Sequence, residues 1–159
     1  MVNVIETFSE ISDKYTAVIC DLWGCLHNGI RSFPAALKAL EDFKASSGKV
    51  ILVTNAPRPI SNVEYQIENL GINKIYYDML LTSGELTSTY VNKICKNKLS
   101  IFHIGGKRHH SIYKDMINEQ KISIETENIV NADLIVCTEP INPSRDKLSD
   151  YENTFRAGI

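Results

Sequence analysis

The sequence predicts an α/β fold with a mostly parallel sheet, and three observations carry that prediction. Short apolar runs rich in β-branched residues end in polar or turn residues. Segments with apolar residues at helical spacing lie between them. Strand and helix alternate at the interval expected of right-handed βαβ crossovers. The 159 residues are about one domain's worth of material, and 43% hydrophobic with 23% charged residues is an ordinary globular composition, which excludes disordered and collagen-like classes.

Thr16 to Cys20 is a continuous apolar run closed by Asp21 and Gly24, and it reads as a buried strand with both faces covered. Phe33, Leu37, Leu40 and Phe43 then recur at helical spacing, with Pro34 suited to a first turn and Ser46-Ser47-Gly48 to a stop. Lys49 to Thr54 is a second buried strand, closed by Asn55 and by Pro57 and Pro59. Ser61 is placed to cap a second helix carrying Val63, Ile67 and Leu70 on one face, and Gly71 supplies the left-handed residue after it. Tyr76 to Leu81, apolar apart from Asp78, reads as a third strand. Thr82-Ser83-Gly84-Glu85 has the form of a capping box opening a helix that runs to about Cys95.

The second half is less regular. Lys98 to Ile104 and Asp133 to Thr138 are strand-like, separated by a polar stretch rich in lysine and asparagine. A final helix is expected to begin near Ser144, with Leu148, Tyr151, Phe155 and Ile159 on an apolar face that has nothing left to cover it, so the chain end reads as a cut. A formal charge of -2 and a pI near 6.1 give no global attraction for nucleic acid or an anionic membrane. No run approaches the ~18 apolar residues of a membrane span, and the first residues lack a basic and then apolar leader, so the expected compartment is the cytoplasm. Cys20, Cys25, Cys95 and Cys137 contain no C-x-x-C and read as reduced thiols, not a disulfide framework.

In a parallel sheet, ligands bind beyond the carboxyl ends of the strands, which here places Asp21, Thr54-Asn55 and Thr82-Ser83-Gly84 near one another. Asp21 is followed by a glycine-containing loop, Leu22 to Gly29, whose N–H groups could face an anion, and Thr54 offers a hydroxyl. The chemistry this suggests is phosphate handling.

These residues carry a resemblance. Val18-Ile19-Cys20-Asp21-Leu22-Trp23-Gly24-Cys25-Leu26-His27-Asn28-Gly29, with Val50-Ile51-Leu52-Val53-Thr54-Asn55 and Leu81-Thr82-Ser83-Gly84-Glu85, resembles the haloacid dehalogenase-like hydrolases. Among them it is similar to the class IIA branch of sugar-phosphate, phosphoglycolate, pyridoxal-phosphate and p-nitrophenyl-phosphate phosphatases. The resemblance runs from about Tyr15 to the last residue and is most specific in the first ninety. It implies a Rossmann-like core whose N-terminal half spans residues 1–98, followed over 99–159 by the first part of an α/β cap. It implies a small phosphorylated metabolite as substrate and Asp21 as the nucleophile, forming an aspartyl-phosphate. Mg²⁺ would be held by the Asp21 carboxylate and the Trp23 backbone carbonyl. Thr54 would donate to a phosphate oxygen, with backbone N–H groups of Leu22, Trp23, Gly24 and Asn55 completing the cradle.

Two departures bear on activity. The family's usual first motif has a second aspartate two residues after the nucleophile, the acid that protonates the leaving oxygen, and that position is Trp23 here. Indole has one N–H donor and no proton to give at neutral pH, so another group or water supplies the proton, the leaving group needs none, or turnover is poor. In the family the third and fourth motifs, a lysine and an acidic pair that complete the phosphate and Mg²⁺ sites, come after the cap, and on this resemblance the 159 residues end before them. The resemblance therefore implies a phosphomonoesterase impaired or inactive as this chain; the alternative is a non-catalytic remnant that retains phosphate-ligand or partner binding. Other residues read more simply. The box at Thr82 is explained by capping, and His103, His109 and His110 have no acidic or cysteine partner at metal-ligand spacing. Lys107-Arg108-His109-His110 after Gly105-Gly106 is either a solvent-facing basic turn or a holder of an anionic group, Cys25 has no histidine fixed beside it, and His27 and Asn28 lie in the same loop as Asp21.

Overall fold

The computed structural model describes residues 4–125, 128–142 and 144–157. The chain divides into two compact units, Met1–Gly84 and Glu85–Ile159. Each contains a three-stranded, fully parallel sheet, so the predicted α/β class holds. No helix among the described residues is long and apolar enough to cross a membrane.

In the first unit, β1 (Ala17–Asp21), α1 (Pro34–Ala45), β2 (Lys49–Thr54), α2 (Ile60–Glu68) and β3 (Met79–Thr82) follow one another, preceded by two short 3-10 turns that the sequence did not announce. The sheet order is β1-β2-β3, with Asp21 opposite Val53 and Thr54 opposite Thr82. Right-handed crossovers that all step in one direction deposit their helices on one side of the sheet. Accordingly a single core joins Leu37, Leu40 and Phe43 of α1 and Val63 and Ile67 of α2 to Val50, Leu52 and Leu80 of the strands. Burying each such side chain contributes roughly 1.5–3 kcal/mol. The expectation that β1 is covered on both faces is corrected by the same topology: Val18 and Cys20 turn to the core, while Ala17, Ile19 and Asp21 on the other face are exposed, Ile19 at 68%.

Local boundaries differ from the sequence reading in three places. The N-cap of α2 is Pro59, whose carbonyl accepts from Asn62 and Val63, and Ser61 lies inside the helix. β3 starts at Met79, not Tyr76, because Asp78 pairs with Val50 through both its own N–H (2.8 Å) and its carboxylate (2.8 Å to Val50 N). Its carboxyl is held below the usual range by that backbone bond and by Lys44 and Lys49. The stop after α1 is as expected, with Ser47 at φ +68; an added Cβ at Gly48 would stand 2.5 Å from the Phe43 ring.

The second unit contains most of α3 (Ser83–Ile94), then β4 (Leu99–Ile104), a 3-10 segment over Lys107–Tyr113, α4 (Lys114–Asn118), β5 (Ile122–Glu125), β6 (Leu134–Cys137) and α5 (Leu148–Ala157). Its sheet order is β5-β4-β6, and Val91, Ile101, Ile112, Tyr113, Met116, Ile122 and Val136 form its core. β5 lies in the polar stretch between the two strands expected from the sequence. α5 begins at Leu148, not near Ser144: ahead of it the Asn142 carbonyl accepts from the N–H groups of Arg145 and Asp146. Of the apolar face assigned to that helix, Leu148 is exposed, whereas Ile159 and the side chain of Phe155 lie outside the described residues. The four cysteines are free; Cys25 and Cys137 are exposed, so these two are not core thiols.

Candidate active site

Asp21 is the last residue of β1 and Thr54 the last of β2, so adjacent parallel strands deliver a carboxylate and a hydroxyl to the same end of the sheet. With Leu22, Trp23, His27 and Asn55 they line a cavity of about 270 Å³. Gly24, also expected at the site, is not among the lining residues; at φ +82 it turns the loop, and its N–H donates to the His27 carbonyl at 2.8 Å.

The loop after Asp21 is fixed from within. Leu22 and Leu26 are buried anchors, and the Leu22 carbonyl accepts from Leu26 (2.8 Å) and His27 (3.3 Å). Asn28 Oδ1 accepts from Ile30 and Arg31, and Phe33 N–H returns to the Leu26 carbonyl. The Leu22 N–H, expected to face phosphate, donates instead to Asp21 Oδ1 at 2.8 Å and so fixes the carboxylate. Thr54 Oγ1 accepts from the Ala56 N–H at 3.2 Å, which leaves its own O–H to donate to a ligand. Trp23, in the position of the absent second aspartate, is 68% exposed.

His27 is buried, at 4% exposure, and its Nδ1 accepts from the Gly29 N–H at 2.9 Å. Burial lowers its pKa against the opposing pull of Asp21, so the imidazole is neutral near pH 7 with its proton on Nε2. Cys20 is no competing nucleophile: burial, with Cys25 and Asp21 nearby, pushes its thiol up to about 11. Two further residues that line the cavity, Arg58 and Gln66, were not singled out by the sequence reading. The visible signal for Arg58 was its place between Pro57 and Pro59, four residues after Thr54.

Thr82-Ser83-Gly84 serves the walls of this site. Thr82 Oγ1 donates to the Arg58 carbonyl at 2.6 Å and Ser83 Oγ to the Asn55 carbonyl at 2.9 Å. Gly84 lies against the backbone of Arg58, where any Cβ would collide with its nitrogen and carbonyl. In the second unit, two residues of the basic turn are engaged: Arg108 Nη2 meets Glu139 Oε2 at 2.5 Å, and His109 Nε2, which accepts from Arg108 Nε at 3.1 Å, stands 3.0 Å from Glu139 Oε1. Buried His103 lies between Thr138 Oγ1 (3.1 Å) and Tyr113 Oη (3.4 Å).

For Mg²⁺, the Asp21 carboxylate and the Trp23 carbonyl are hard oxygen donors of the kind that ion prefers. Mg²⁺ commonly binds through one or two carboxylates while keeping several waters. Among the described residues no group of three or more His, Cys, Asp or Glu side chains could hold a metal. The donor set thus fits Mg²⁺ in kind, with one carboxylate.

A family model described as haloacid dehalogenase-like hydrolase matches residues 18–119, and the chain belongs to that family. No curated protein matches it. Among solved structures, a haloacid dehalogenase-like hydrolase from Brucella suis 1330 is similar at 33% identity and a TM-score of 0.77, over 97% of this chain and 56% of that one. A possible sugar phosphatase from Cytophaga hutchinsonii shares the fold at 21% identity and a TM-score of 0.69, over 96% and 55%. A glycerol phosphate phosphatase from Mycobacterium tuberculosis, in complex with magnesium, shares it at 15% identity and a TM-score of 0.58, over 92% and 42%. The chain spans about half the length of these relatives. The class IIA resemblance of the motifs agrees with these folds.

Proposed function

We propose that this chain carries the nucleophile and phosphate contacts of a Mg²⁺-dependent phosphomonoesterase acting on a small phosphorylated metabolite, and that turnover by the 159 residues alone is weak. The observation that supports it is the convergence of Asp21 and Thr54 from adjacent strand ends onto one cavity. In this reading residues 1–98 are the N-terminal half of the catalytic core and 99–159 the start of its cap.

An Asp21 carboxylate oxygen attacks phosphorus as the ester P–O bond breaks, giving an aspartyl-phosphate and the free alcohol. Water then attacks phosphorus, inorganic phosphate leaves and the carboxylate is restored. The Leu22 N–H holds the carboxylate in place, and the Thr54 hydroxyl steadies a non-bridging oxygen as charge shifts onto it. When bound, Mg²⁺ would offset phosphoryl charge, held by Asp21 and the Trp23 carbonyl. Trp23 cannot protonate the departing oxygen, so water does, and the rate lacks the ~10²–10⁴-fold that a placed acid contributes.

The test is Mg²⁺-dependent hydrolysis of p-nitrophenyl phosphate by the chain and by Asp21→Asn. Slow turnover that falls by about 10³-fold or more in the variant is the expected result. Turnover indifferent to Asp21 would overturn the assignment. The second reading, a non-catalytic remnant, is favoured by Trp23 in the position of the acid and predicts no Asp21-dependent hydrolysis at all.

A further inference from the structure

Arg58 is the single cationic side chain among the described residues that line the cavity holding Asp21 and Thr54. Its position is fixed from three directions. Pro57 and Pro59 restrict the backbone on both sides. From the end of β3, Thr82 Oγ1 donates to its carbonyl at 2.6 Å, and Gly84, with no room for a Cβ, lets the helix start press on the Arg58 backbone. From α2, Gln66 Oε1 accepts from Nη2 at 2.6 Å, and Gln66 lines the same cavity.

That last contact is the informative one. A fixed arginine is usually tied to a carboxylate, which neutralises it; an amide oxygen orients the guanidinium and leaves its charge intact. An oriented, un-neutralised guanidinium in a pocket has already lost the side-chain entropy that binding would cost, and it presents its remaining N–H donors to an acceptor with two or more oxygens.

We propose that Arg58 is a phosphate-binding residue of this site, donating to non-bridging oxygens of the phosphoryl group, with Gln66 as its positioning residue. The proposal rests on the proposed function for the identity of the ligand. It gives the described site a positive charge that neither Thr54 nor the loop N–H groups can supply.

The experiment is calorimetric titration of the 159-residue chain with inorganic phosphate at low ionic strength, where charge-assisted contacts are least screened. Wild type is expected to bind phosphate with millimolar affinity, and Arg58→Gln to weaken it by at least about tenfold. Arg58→Lys should fall between them, because it keeps the charge and loses the planar fork. Gln66→Glu leaves Arg58 in place but neutralises it, so it too should weaken binding; it keeps the test decisive if Arg58→Gln fails to fold by circular dichroism. No phosphate binding by wild type up to about 50 mM, or equal binding by wild type and the folded variants, overturns the proposal. Asp21→Asn separates this from the catalytic assignment: it should end hydrolysis and tighten phosphate binding by removing a repelling charge. Arg58-dependent binding without Asp21-dependent turnover would sink the phosphatase reading and leave Arg58 standing, and the reverse result would sink Arg58 alone.

Discussion

The two sheets of this chain have the same strand count and the same parallel sense, yet their carboxyl ends are finished in opposite ways. At the end of the first sheet the polar groups Asp21, Thr54 and Arg58 surround open space of about 270 Å³, and Arg58 is oriented by an amide. At the end of the second, Glu139 takes up Arg108, His109 and the Gly106 N–H, and His103 is shut between Thr138 and Tyr113. The rule that ligands bind beyond the strand ends of a parallel sheet locates candidates and no more. What distinguishes a site is whether the charges there are consumed by the protein's own side chains.

The largest expected effect sharpens the first end. Trp23 is exposed, so Trp23→Asp should be tolerated and would restore an acid at the position where the family has one. Turnover of an alkyl phosphate, whose leaving group needs a proton, should rise by about 10²-fold, while p-nitrophenyl phosphate, with a far better leaving group, gains much less. Equal gains on both substrates would mean that the new carboxylate acts some other way. The next effect belongs to the second end. Burial, aided by His110 and His109 and opposed by Glu139, lowers the pKa of His103 from 6.5 to about 4. The unfolded chain takes up that proton as pH falls below about 6.5 and the folded chain does not, so stability drops from there and levels off near pH 4. The full shift bounds the loss at roughly 3 kcal/mol. Urea melts from pH 7 to 4 should show that decline, and His103→Asn should flatten it; an unchanged slope in the variant would place the acid sensitivity elsewhere.

Much of the first end was legible because it is written in local signals. β1 and β2 are continuous β-branched runs, and Asp21 and Thr54 stand where those runs stop. The open face of β1 was not legible, since a buried-looking run such as Val18-Ile19-Cys20 says nothing about which side its crossover helices take. β5 was missed because Ile122-Ser123-Ile124-Glu125 is four residues of alternating character within a polar stretch, too short for periodicity to stand out. Ser61 looked like a cap because its chemistry suits one, but Pro59 had already fixed the entry to α2 two residues earlier. Arg58 was missed for a different reason. Its meaning comes from Gln66, Thr82 and Gly84, and no local pattern relates residues that far apart in sequence.

The smallest effects come from the two glycines that brace these ends, and they set the ends against each other directly. Gly84→Ala puts a methyl into the Arg58 backbone, and Gly105→Ala puts one onto Thr138 Oγ1 at a residue whose φ of +144 disfavours any side chain. Each should cost about 1–3 kcal/mol, read by urea unfolding, since overpacking and backbone strain are of that size. Their effects on ligand should differ. Gly84 abuts the fixed arginine, so Gly84→Ala should displace Arg58 and weaken inorganic phosphate binding severalfold, whereas Gly105→Ala, at an end where Glu139 already takes up Arg108, should leave that affinity unchanged. If the Gly105 variant weakened phosphate binding as much as the Gly84 variant, the second end would have to take part in the ligand's recognition, and the contrast between the two strand ends would fail.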